Sequence, residues 1–209
     1  MTIADNLAQI KARIAQAAHR ASRDPQDIKL LVAGKYADAS QLLQLIKVGQ
    51  KIIGENRAQD LKAKYAVIGD QAEWHFIGHL QRNKIKDVVP IITLLHSLDS
   101  FRLADELEKQ LTSISKTLPV LIEVNISAEA TKSGIAPNDL PSLINHCRNL
   151  SHLKLVGLMT MNQSLHFHAL RQLAHKYNLP ELSMGTSQDF EVAIEEDSTI
   201  IRLGRIVFS

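Results

Sequence analysis

An alternation that runs from residue 29 to the end of the chain constrains the fold more than any other feature. Short apolar runs rich in β-branched residues are each followed by a longer stretch with helical period. The runs are Lys29–Ala33, Lys51–Ile53, Glu73–Ile77, Ile91–Leu95, Pro119–Val124, Leu153–Leu158, Leu182–Met184 and Thr199–Leu203. The helix-like stretches include Ala39–Val48, Arg57–Ile68, Ser100–Thr112, Leu140–Leu150, His168–Tyr177 and Gln188–Glu195, with a shorter one around Arg82–Asp87. An amphipathic helix leads them, with Ile3, Leu7, Ile10, Ile14 and Ala17 at helical spacing. Near-continuous apolar strands imply cover on both faces, as in a parallel sheet. Eight strand-then-helix units in a row favour a closed (β/α)8 TIM barrel of the α/β class over an open doubly wound sheet. No glycine-rich linker divides the chain, so residues 1–209 read as a single barrel domain with an extra N-terminal helix.

Composition removes several classes of function. A net charge of +2, with lysines and arginines scattered, gives no basic stripe for nucleic acid. The longest apolar stretch, Val88 to Leu95, is far short of a membrane span and contains Pro90. The single cysteine, Cys147, rules out an internal disulfide, suits a reducing compartment and reads as a packing residue. With no signal-peptide core around Asp5, the expectation is a cytoplasmic protein with no nucleic-acid or membrane partner.

In a TIM barrel the chemistry sits on the loops after the strands' carboxyl ends. Taken in order, those positions hold Lys35, Glu55-Asn56, His79, His96-Ser97, Asn125, Met159-Thr160, Gly185-Thr186-Ser187 and Gly204-Arg205. Lys35 puts an amine at the rim of a core, where such a group can become a nucleophile. Ser183-Met184-Gly185-Thr186-Ser187 closes the seventh strand and opens a helix. It is either a plain helix cap or an anion cradle. Gly204 directly after the last strand favours the cradle, because loops seven and eight commonly hold phosphate in barrel enzymes. Arg202, inside the last strand, needs a partner. The candidates are a strand carboxylate such as Glu123 or a ligand atom that is to stay unprotonated. An amine, a cradle and an arginine are what a pyridoxal phosphate site needs. His75 and His79 have a spacing that binds metal on a helix, but they read as strand and turn, so no metal site is expected.

Longer motifs carry a family resemblance through nearly the whole chain. They are Gly54-Glu55-Asn56-Arg57, Trp74-His75-Phe76-Ile77-Gly78-His79-Leu80-Gln81-Arg82-Asn83-Lys84, His96-Ser97-Leu98-Asp99, Val124-Asn125-Ile126-Ser127, Lys132-Ser133-Gly134, Val156-Gly157-Leu158-Met159-Thr160, Leu182-Ser183-Met184-Gly185 and Arg202-Leu203-Gly204. The chain resembles the YggS/PROSC family, the single-domain pyridoxal phosphate-binding (PLP homeostasis) proteins. The resemblance implies a barrel like the alanine racemase N-terminal domain, with Lys35 as the Schiff-base lysine. It implies that Ser183, Gly185, Ser187 and Gly204 surround the phosphate of pyridoxal 5'-phosphate. Arg202 would face the pyridine nitrogen, and Asn56 and Met159 would line the pocket. Lys132 matches a lysine of the family's Lys-Ser-Gly stretch and otherwise reads as an exposed loop residue.

The chain departs from the family's pattern at Gly34, Tyr36, Thr186 and Arg205, where serine, threonine, methionine and a small hydroxyl residue are usual. Arg205 would either salt-bridge the phosphate or crowd the site. The implied function is intracellular PLP homeostasis, by buffering or delivery, without evident catalysis. PLP-dependent apoenzymes are the candidate protein partners. The alternatives are a small PLP-dependent amino-acid racemase-like enzyme, with Tyr36 or His79 as the second acid–base group, and a degenerate member that has lost the cofactor.

Overall fold

The computed structural model describes residues 2–127, 129, 133–161 and 163–209. Its strands are β1 (Lys29–Ala33), β2 (Ile52–Glu55), β3 (Glu73–Phe76), β4 (Leu94–Leu98), β5 (Leu118–Glu123), β6 (Leu153–Met159), β7 (Glu181–Ser183) and β8 (Ile200–Leu203). They close a barrel in sequence order. Every ladder is parallel, and β8 returns to β1 with Leu31 opposite Arg202. The helices are α1 (Ile3–Arg20), α2 (Ala39–Lys47), α3 (Ala58–Ile68), α4 (Ile85–Val88), α5 (Phe101–Ser113), α6 (Leu140–Arg148), α7 (Phe167–Tyr177), α8 (Phe190–Glu195) and α9 (Arg205–Phe208). This is the (β/α)8 TIM barrel that the alternation predicts.

Strand periodicity of two separates two cores. Leu30, Val32, Trp74 and Phe76 face outward into the large layer between strands and helices. Leu31, Ala33, Ile77, Leu94, Leu121, Met159 and Ile200 form a smaller cluster in the lumen. Helix starts follow local chemistry. Asp38 and Gln41 form a capping box that opens α2 directly after the β1 loop.

The structure corrects three expectations. The apolar run at Ile91–Leu95 is not itself the fourth strand. Val88, Val89 and Ile92 fill the outer layer from α4 and the turn after it, and β4 begins only at Leu94. A continuous apolar run does not by itself distinguish strand from buried helix. In consequence His96 and Ser97 lie inside β4, fully buried, and not on the loop beyond it. The second strand likewise extends through Glu55, which is buried within it.

The third correction concerns the eighth unit, which has no full helix of its own. Only the four-residue α9 follows β8, and α1 packs against α8, α9 and α2 to cover that side. Asn6 fastens α1 there, its buried amide donating to Val207 O at 3.2 Å and Ser209 O at 2.8 Å. Arg23 donates to Ile194 O and Ser198 O. Cys147 is buried on α6, where burial pushes its thiol up to about 12. Among the described residues no helix is long and apolar enough to cross a membrane.

Asn6→Ala strands two carbonyls at a buried seam. It is expected to lower the unfolding free energy by about 1–3 kcal/mol in urea titrations. An unchanged midpoint would show that α1 is held by its apolar face alone.

Candidate functional site

The β1 loop is braced from below. Gly34, Lys35 and Tyr36 form a 3-10 turn directly after β1. Lys64 of α3 reaches under it, donating to Gly34 O at 2.7 Å and to Glu55 Oε1 at 2.6 Å. The Glu55 side chain is fully buried, and its second oxygen has no partner. Burial pushes the Glu55 carboxyl above its ordinary value, while the Lys64 bond and charge draw it back. A Cβ on Gly34 would meet that carboxylate, so the glycine admits the buried ion pair beneath the turn.

Above this brace opens a cavity of about 530 Å³ at the carboxyl end of the barrel. Lys35, Asn56, Ser187, Arg202, Gly204 and Arg205 all line it, with Ala33, Tyr36, Ile77, Met161, Thr186, Gln188 and Ile206. The volume suits a small organic ligand. Lys35 is exposed at the mouth, its Nζ 4.9 Å from the Tyr36 ring centre. Arg205 Cζ lies 5.6 Å from the same centre. Tyr36 packs against Gly204, where a Cβ would overlap the ring. Among the described residues, Lys35, Arg202 and Arg205 form no ion pair with any carboxylate. Asn56 adds a buried side-chain oxygen without a hydrogen-bond partner.

Arg202 is 5% exposed and does not pair with Glu123, one of the two partners its position suggests. Its Nη1 donates to Ser183 Oγ at 2.6 Å. Its Nη2 donates to Thr160 O at 2.8 Å and contacts Met161 Sδ at 3.2 Å. Burial pushes the guanidinium down to about 10, opposed by the charges of Glu123 and Asp189. It therefore remains a cation at neutral pH. Glu123 instead accepts from Ser133 Oγ at 2.6 Å.

Residues 5–209 match the alanine racemase N-terminal domain family. A pyridoxal phosphate homeostasis protein of Aquifex aeolicus (strain VF5) is 40% identical over 223 residues, covering 100% of this chain and 98% of the relative. One from Pseudomonas aeruginosa PAO1 is 38% identical over 218 residues, covering 99% and 95%. The chain belongs to the pyridoxal phosphate homeostasis protein family. The solved structure of PipY from Synechococcus elongatus PCC7942, with PLP bound, is similar throughout: TM-score 0.87, 27% identity, and 100% of each chain covered.

Against that family's expected site, the cavity brings together Lys35, Asn56, Ser187, Arg202, Gly204 and Arg205. Three expected residues lie elsewhere. Ser183 is fully buried beneath the cavity, with its hydroxyl committed to Arg202 and His96. Met159 ends β6 inside the lumen cluster, and Met161 is the methionine that lines the cavity. Gly185, at φ +91°, accepts Arg202 N–H at its carbonyl and shapes the loop from behind. Lys132 lies outside the described residues. His79 is not on this cavity; it lines a neighbouring depression and sits 3.1 Å from Asp99 Oδ2. Ile77, Gln188 and Ile206 were not anticipated. Each sits within a residue or two of a position that was, and proximity to the loops was the only signal for them.

Because Glu55 titrates higher in the fold than in the unfolded chain, its ionisation opposes folding. Stability therefore falls as pH rises from the ordinary carboxylate range through the raised folded value. Lys64→Met removes the compensating charge and is expected to cost about 3–5 kcal/mol at neutral pH. That cost should shrink as acid protonates Glu55, as read by urea unfolding at neutral and mildly acidic pH. An equal cost at both would assign the loss to packing.

Proposed function

We propose that this chain binds pyridoxal 5'-phosphate in the cavity at the carboxyl end of the barrel, linked through Lys35, and buffers or delivers it in the cell without turning it over. The observation that carries this reading is the convergence of Lys35, Arg202 and Arg205 on one cavity, where none of them forms a direct ion pair with a carboxylate among the described residues. Three cations without a direct ion pair call for an anionic ligand, and an amine among them calls for a carbonyl. A phosphorylated aldehyde answers both. When bound, the cofactor supplies that aldehyde and a ring able to accept electrons.

The residues divide the ligand between them. Ser187, Gly204 and Arg205 offer hydroxyl, close backbone approach and charge to the phosphate. Asp189 accepts Thr186 N–H at 2.7 Å and its hydroxyl at 3.1 Å, which steadies the same loop. Asn56 offers an unused acceptor to a donor on the ring. Arg202 would face the pyridine nitrogen and, being a poor proton source, would leave it unprotonated. That weakens the ring as an electron sink and favours holding over catalysis. Racemisation needs proton transfer on both faces of a carbanion. His79 is off the cavity, so Tyr36 alone remains beside Lys35 as a possible second group. PLP-dependent apoenzymes are the proposed recipients.

Titrating the protein with pyridoxal phosphate is expected to produce a visible absorbance band that borohydride fixes at Lys35 and that Lys35→Ala abolishes. Fixation at another lysine would overturn the assignment. Arg205→Ala is expected to weaken binding about tenfold, the loss of one charge-assisted contact of ~1.5 kcal/mol. Unchanged or tighter binding would mean that Arg205 crowds the phosphate. Hydrogen–deuterium exchange at the α-carbon of alanine or serine should stay at background; Lys35-dependent exchange would establish an enzyme instead.

A further inference from the structure

Barrel lumens are ordinarily filled by branched apolar side chains, as Leu31, Leu94, Leu121 and Ile200 do here. A line of polar groups from β3, β4, β7 and β8 runs through that packing. Glu73 Oε1 lies 3.0 Å from His75 Nε2, and His75 Nδ1 lies 3.0 Å from His96 Nε2. Across the lumen, His96 Nδ1 lies 2.9 Å from Ser183 Oγ, which is 2.6 Å from Arg202 Nη1. His75, His96 and Ser183 are 2%, 0% and 0% exposed, so bulk water reaches none of them. Glu73 is half-exposed at the floor, and Arg202 lines the cavity at the top.

Donor and acceptor rules allow this line one direction. A guanidinium only donates, so Ser183 Oγ accepts from Arg202. The single proton of that hydroxyl then goes to His96 Nδ1. His96 therefore carries its proton on Nε2 and donates to His75 Nδ1, and His75 Nε2–H ends on the Glu73 carboxylate. Reversed, the Ser183 proton would have no acceptor among the described residues in a fully buried place, which native structures avoid. Burial above all, with the charge of Arg202 behind it, holds His96 well below the ordinary imidazole value, in keeping with a neutral ring. The bond from His75 lowers Glu73, in keeping with a carboxylate as terminal acceptor. Successive bonds of the same sense polarise one another.

We propose that Glu73, His75, His96 and Ser183 form a one-way hydrogen-bond strut across the barrel that fixes the Arg202 guanidinium, making His96 and His75 positioning residues for the pyridine end of the bound ligand. The ligand's identity rests on the pyridoxal phosphate reading above; the strut itself does not. It also accounts for the place of Ser183, whose hydroxyl points its proton away from the cavity and holds the arginine from below.

The test records imidazole and guanidinium NMR spectra of the apoprotein, and the visible band and its pH profile after adding pyridoxal phosphate. It compares the wild type with His96→Leu, His96→Gln and Ser183→Ala. Glutamine can keep an oxygen toward Ser183 and an N–H toward His75. The wild type should show His96 as the neutral Nε2–H tautomer throughout the ordinary imidazole titration range. His96→Leu should shift both the Arg202 Nε–H resonance and the visible band, and His96→Gln should restore both. An Nδ1–H tautomer, or wild-type Arg202 and band positions in His96→Leu, would overturn the strut while leaving cofactor binding intact. If the wild type takes up no pyridoxal phosphate, the ligand reading fails, and the apoprotein tautomer and Arg202 resonance still decide the strut. Should His96→Leu not fold, Ser183→Ala gives the same readings by removing the oxygen that both neighbours share.

Discussion

A permanent cation buried at the top of a closed barrel is the constraint to which the rest of the site answers. Desolvating a guanidinium costs several kcal/mol unless hydrogen bonds or an opposite charge offset it. Here Glu123, the strand carboxylate whose charge acts on the guanidinium, accepts from Ser133 instead. The offset comes from neutral acceptors instead: Ser183 Oγ, Thr160 O and the sulfur of Met161. Arg202 thus keeps its charge at the cavity wall without a direct ion pair, Glu123 and Asp189 acting on it only through their field. The polar line behind it converts a costly burial into a defined orientation, reaching the floor of the barrel before it meets a carboxylate.

The rim is held by a second buried charge pair with the opposite logic. Glu55 and Lys64 neutralise each other beneath the β1 loop, and the same ammonium ties down Gly34 O. Lys35 is then presented on a turn whose backbone is fixed while its side chain stays free. The departures from the family's usual residues fit this arrangement. Gly34 leaves room for the Glu55 carboxylate, and Tyr36 lies on Gly204 with Lys35 and Arg205 near its ring. A ring with two cations near it can attract both, which would put aromatic cover at the phosphate end of the proposed site.

Much of this was legible in one dimension. Residues such as Val32, Ile53 and Ile201 announce strands through period and β-branching, and the count of runs announces a barrel. Lys35, Asn56, Ser187, Arg202, Gly204 and Arg205 could be assigned to one end of it because a barrel sends every strand's carboxyl terminus the same way. The residues that lie off the expected loops have a common cause. Met159, Ser183 and His96 fall at or near strand ends, where a shift of one or two residues moves a side chain from rim to lumen. The strand expected over Ile91–Leu95 starts later, at Leu94, because apolarity does not separate a buried helical turn from a strand.

By itself, then, the sequence determined the fold class, the parallel order and which loops share a face, since periodicity and strand polarity are local properties that propagate through the topology. The tertiary structure decided what neither period nor motif encodes. It set which polar residues meet across the lumen, which cations go unpaired and which helix covers β8. Those outcomes depend on distances between residues far apart in the chain, such as His96 and Ser183 or Asn6 and Val207. They are fixed only when the barrel closes, because closure alone brings opposite strands within hydrogen-bond reach.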